Sequence, residues 1–87
     1  MASGEVLFFG KLRELAGLAS EPLPAEAVGQ PVSVLTGLMA TRHPGLAGAI
    51  DHPSTRVCAN QALIARKDDP LVTETDEIAF LPPMSGG

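Results

Sequence analysis

Two strand-like segments of this chain are apolar on both faces, and only one segment is long enough to make a substantial helix. The first strand-like run is Glu5-Val6-Leu7-Phe8-Phe9-Gly10-Lys11 and the last is Glu77-Ile78-Ala79-Phe80-Leu81. Side chains alternate across a strand, so Val6 and Phe8 share one face while Leu7 and Phe9 share the other. By the same parity Ile78 and Phe80 oppose Ala79 and Leu81. One helix covers one face of a sheet. The pattern therefore predicts an α+β fold in which one sheet face makes the core and the other is, at least in part, a surface for a partner.

The main helix is expected over Pro31 to His43. Ser33 is its candidate N-cap, Val34, Leu35, Leu38, Met39 and Arg42 fall near helical spacing, and Pro44-Gly45 ends it. Gly37 sits in its middle at a cost of about 1 kcal/mol relative to Ala. Arg13 to Gly17 reads as a short helical turn closed by Gly17. Glu21 to Glu26 alternates in polarity, but Pro22 and Pro24 demote it to an edge strand. A loop is expected from Gly45 to Ser54. Arg56-Val57-Cys58-Ala59 and Leu63-Ile64-Ala65 follow as a hairpin about Asn60-Gln61, and Asp68 to Asp76 is a polar connection. The predicted order is strand, strand, helix, strand, strand, strand, with no internal repeat or low-complexity block.

At 87 residues the chain is one small domain, with little room for a deep enzyme pocket and its scaffold. An apolar content of 45% predicts a folded globule. Six Lys plus Arg stand against ten Asp plus Glu, a formal net charge of −4, which argues against nucleic acid and against an anionic membrane surface. Cys58 is the only cysteine, so no disulfide forms within the chain, and its apolar neighbours suggest packing rather than reactivity. The first residues lack the basic stretch and apolar core of a signal peptide, and no apolar run approaches a membrane span. A cytoplasmic protein is expected. His43 and His52 have no ligand partner at metal-site spacing, and His43 reads as a cation near a helix C-terminus. Asp68, Asp69, Glu74, Asp76 and Glu77 read as solvated turn residues. The glycines make no phosphate-binding loop. No cofactor or metal is expected on this chain.

The remaining feature is Leu81-Pro82-Pro83-Met84-Ser85-Gly86-Gly87. Gly-Gly loses much entropy on ordering, so residues 82–87 are expected to be a flexible tail on a domain spanning 1–81. With no Cβ, such a tail passes through a channel too narrow for other residues, carrying the Gly87 α-carboxylate at its tip. Pro82 and Pro83 fix φ where the tail leaves the sheet, and six extended residues reach at most about 20 Å.

Val6 to Gly17, Val57 to Gln61 and Asp76 to Gly87 together resemble the small subunits of molybdopterin synthase, the MoaD type. The strand ending in Pro-Pro-x-x-Gly-Gly is the most specific part. That resemblance implies a ubiquitin-like β-grasp with the first and last strands side by side, a mixed sheet and one main helix across one face. It also implies a sulfur carrier. The C-terminal glycine carboxylate, here Gly87 behind Gly86, is adenylated by an E1-like adenylating and sulfurylating enzyme that uses ATP. It is then converted to a thiocarboxylate, and the tail enters the large subunit of a heterotetrameric synthase. There the sulfur goes to a cyclic pterin precursor during molybdenum cofactor biosynthesis. The partner-facing residues implied are Phe9, Leu63, Leu81, Pro82, Pro83, Met84, Ser85 and Arg13. Two other functions use the same tail: a ubiquitin-like protein modifier joined to target lysines, and a sulfur carrier of the thiamine type. A plain interaction domain would use only the sheet face.

Overall fold

The computed structural model describes residues 4–83. The first and last strands, β1 (Glu5–Phe8) and β5 (Glu77–Leu81), lie side by side and parallel, with Val6 opposite Ile78 and Phe8 opposite Phe80. β2 (Ser20–Pro22) runs antiparallel on the outer side of β1. β3 (Arg56–Ala59) runs antiparallel on the other side of β5, and β4 (Ala62–Ile64) closes the far edge. The sheet order is thus β2-β1-β5-β3-β4. The longest helix, α2 (Val32–Arg42), joins the short helix α1 (Gly10–Ala16) over one face of this mixed sheet.

The core follows the strand parity. Val6, Phe8, Ile78 and Phe80 are fully buried, together with Leu12 of α1 and Leu35 and Met39 of α2. The rings of Phe8 and Phe80, cross-strand neighbours, stack with centroids 6.1 Å apart. Leu46 and Ile50 also belong to this core. The segment expected to be plain loop therefore contributes two large apolar side chains, one of them in a 3-10 turn at Pro44–Leu46.

Several local expectations are corrected. β1 ends at Phe8 rather than Lys11, because the chain turns into α1 at Gly10, whose φ of +55° favours glycine. The proline-rich segment forms only a three-residue strand and then a 3-10 turn at Ala25–Ala27. Ser33 does not cap α2. It lies inside the first turn, and Asp69 takes over the cap from a distant loop: one carboxylate oxygen accepts from Ser33 N–H at 2.8 Å and the other from Ser33 Oγ at 2.6 Å. That satisfies a donor the helix start leaves unpaired and sets a negative charge at its positive end. His43 stands at the C-terminal end of α2, as expected, and meets a carboxylate there. Its Nε2 lies 2.6 Å from Glu21 Oε1, and Arg42 donates to the same carboxylate at 3.2 Å, which ties β2 to the end of α2.

The hairpin turn holds Asn60 at φ 52° and Gln61 at φ 72°. Both central residues in the left-handed region make the primed turn that matches strand twist. The Asn60 side chain helps hold that geometry: its amide donates to Asp76 Oδ1 at 2.9 Å and its oxygen accepts from Glu77 N–H at 3.0 Å.

Candidate functional site

The sheet face away from the helices carries the odd-parity residues of β1 and β5. Directly paired residues share a face, so Leu7, Ala79, Cys58 and Leu63 form one row across four strands: Leu7 pairs with Ala79, Ala79 with Cys58, and Cys58 with Leu63. One step toward the end of β5, Leu81 pairs with Arg56. Phe9 follows Phe8 past the end of β1, and its N–H donates to Phe80 O at 3.2 Å, which sets it beside Leu81. Phe9 is 45% exposed and Leu63 61% exposed, whereas Leu7, Leu81 and Cys58 are half-buried. Phe9 and Leu81 thus stand at one end of an apolar surface and Leu63 at its lateral edge, with Ala79 and Cys58 between them.

The apolar neighbours of Cys58 suggest packing and leave its face of the sheet undecided. Register with Ala79 and Leu63 puts it on the open face. Strand parity had already assigned Leu7 and Ala79 to that face. Linking them to Leu63 required the hairpin register, which the sequence does not print.

Beyond β5 the described chain continues through Pro82 and Pro83. Pro82 is half-buried and packs on the first residue of α1: a Cβ added to Gly10 would lie 2.8 Å from Pro82 Cγ. Glycine is needed there for that approach as well as for its positive φ. Pro83 is exposed. Met84, Ser85, Gly86 and Gly87, and with them the expectation of a flexible tail, lie outside the described residues. Arg13 is exposed on α1, where it borders a shallow depression with Gly10, Glu14, Gly17, Leu18 and Ala19, and it does not join the sheet-face row.

Two acids read as plain turn residues have defined partners. Asp69 caps α2, as above. Asp76 loses some solvation, which raises its pKa, but Thr73 N–H at 2.8 Å and the Asn60 amide outweigh this and hold its carboxyl below the usual value. On the helix side of the sheet, a cleft of about 300 Å³ lies between α2 and the β3–β4 hairpin, lined by Gly37, Ala40, Val57 and Ile64 with Arg66 and Asp69 at its polar end. Arg66 already donates to His52 O and Asp69 already accepts from Ser33. Among the described residues no three His, Cys, Asp or Glu side chains converge as a metal site, and no helix is long and apolar enough to cross a membrane.

A mixed five-stranded sheet with parallel first and last strands at its centre and helices on one face defines a ubiquitin-like β-grasp protein. The solution structure of small archaeal modifier protein 1 from Methanosarcina acetivorans superposes with a TM-score of 0.75 at 32% identity, covering 100% of this chain and 98% of that one. Within that class the chain belongs to the ThiS family, which it matches over residues 6–87. It is 36% identical over 83 residues to the molybdopterin synthase sulfur carrier subunit of Escherichia coli (strain K12), covering 95% of this chain and 98% of the relative. It is 38% identical over 86 residues to the Homo sapiens protein of the same name, covering 95% and 92%. The resemblance carried by the two ends and the hairpin thus holds over nearly the whole length.

Proposed function

We propose that this chain is the sulfur carrier subunit of a molybdopterin synthase, working in the cytoplasm. The observation that carries the reading is the near-full-length match to relatives bearing that name, reaching Gly87 in the family alignment. The chemistry proceeds at the Gly87 carboxyl. A carboxylate resists nucleophiles because attack would add a second negative charge to an anion. An E1-like partner first transfers AMP from ATP, releasing pyrophosphate and leaving an acyl-adenylate, a mixed anhydride whose acyl carbon no longer belongs to a carboxylate and whose AMP is a good leaving group. A sulfur nucleophile then displaces AMP and leaves a thiocarboxylate. In the large subunit the sulfur passes to the cyclic pterin precursor, and water restores the carboxylate.

The carrier supplies position. Phe9, Leu63 and Leu81 dock on the large subunit, with Leu7, Ala79 and Cys58 completing the apolar surface. Pro82 on Gly10 aims the tail, Pro83, Met84 and Ser85 span the channel, and Gly86 and Gly87 fit its narrow end. Arg13 on α1 contributes at the edge of the partner contact. The chain itself binds no cofactor.

Intact-mass measurement after co-expression with the activating enzyme and a sulfur source tests this. A gain equal to the mass difference between sulfur and oxygen, lost on deletion of Gly87, is expected. An unchanged mass with the chain recovered on target lysines would instead establish the protein-modifier function borne by the name of the archaeal neighbour.

A further inference from the structure

The charges around the open face are arranged by sign. At the end of β5 where the tail leaves, Arg56 is the register partner of Leu81 and so stands on the open face beside it. At the opposite end of the same strands, Glu5 and Glu77 are direct register partners, and parity puts both carboxylates on the open face. Among the described residues the only charged contacts are those of Glu21 with Arg42 and with the His43 ring, so neither Arg56 nor Glu5 nor Glu77 has an opposite charge within 4.0 Å.

Two carboxylates directly opposite one another destabilise a strand pair. Among the described residues no cation lies within 4.0 Å of either carboxylate, and the polar contacts at Glu77 are those of its backbone with Asn60. The apolar row between the two charged ends is the surface assigned above to docking. A like-charged pair on the rim of an apolar patch, with an uncompensated cation on the opposite rim, is what a surface looks like when the missing charges belong to something else.

We infer that the open sheet face is an electrically polarised docking face for a protein partner whose own surface is apolar at its centre, acidic opposite Arg56, and basic opposite Glu5 and Glu77. The inference rests on the docking reading given above and adds to it the charge pattern of the partner and the orientation in which the two meet. The apolar row holds the complex without specifying which end faces which. The opposed charges supply that direction and bring the tail, rather than the far end of the sheet, to the channel.

The test measures association with the cognate large subunit by stopped flow at low and at high ionic strength, beside urea unfolding of the free chain. The variants are the pair Glu5→Gln with Glu77→Gln, the single Arg56→Gln, Phe9→Ala, and Glu26→Gln as a control away from the face. Each face-charge variant is expected to slow association roughly tenfold at low salt, with the difference closing at high salt. The glutamine pair should unfold at the same or a higher urea concentration than the natural chain, because a repulsion has been removed. Association rates that match the natural chain, or that rise in the glutamine pair, overturn the charge pattern; if Phe9→Ala still weakens binding, the docking reading survives alone. If Phe9→Ala also binds normally, the docking reading falls and the charge pattern falls with it.

Discussion

Leu63→Ala isolates the open face from the core better than any other single change. Leu63 lies on the edge strand β4, pairs with Cys58 and leaves 61% of its surface to solvent. Fully burying a leucine is worth about 1.5–3 kcal/mol, so covering the exposed share is worth about 1–2 kcal/mol to a partner. That corresponds to a roughly five- to thirtyfold weaker Kd. The share already buried limits the loss in the free chain to about 1 kcal/mol. Calorimetric titration against the large subunit and urea unfolding of the isolated variant give the two numbers separately. An unchanged Kd per folded molecule, together with a loss of more than about 3 kcal/mol in unfolding free energy, would refute the reasoning. It would mean that Leu63 supports the fold and that the partner binds elsewhere. Phe9 is a less clean probe, because with 45% exposure it is about half-buried against its own chain.

Phe80→Ala should do the reverse: Phe80 is fully buried and stacks on Phe8, so about 3–5 kcal/mol of stability is lost, read as a collapse of the thermal transition. Acid unfolding should depend on Asp76. Its carboxyl is held below the usual value, so its contribution is present above the unfolded-state pKa, near about 4, and is lost as pH falls through the lower folded value. Asp76→Asn should therefore flatten the stability curve below about pH 4, and a curve superimposable on the natural chain's would exclude that role.

The open face and the core were legible because parity is a local property. Once Val6 and Phe8 share a face with Ile78 and Phe80, a single helical layer decides which set is covered. What the sequence did not disclose depends on contacts across long separations. The cap on α2 comes from Asp69, 36 positions after Ser33, so a reading of the helix's own flanks finds only the serine. Glu21, in a segment expected to be a weak edge strand, meets His43 through the fold. Leu46 and Ile50 looked like loop because two apolar residues among glycines and alanines carry no period, yet they close the core beside α1 and α2. Cys58 was apolar in either reading, and only hairpin register decided its side.

The pairing of β1 with β5 has a consequence for how the protein is made. Glu5 and Glu77, direct partners at the sheet centre, are 72 positions apart in the chain. Synthesis proceeds from the N-terminus at about 5–20 residues per second, so β1 waits several seconds for the strand that completes its layer. The core cannot close before then, since Ile78 and Phe80 are two of its fully buried members. Non-local pairing of this kind also folds slowly relative to helical bundles of the same size. A chain interrupted anywhere before β5 leaves Val6 and Phe8 uncovered and open to proteolysis. Completion of the fold is thereby tied to synthesis of β5, the last strand of the sheet.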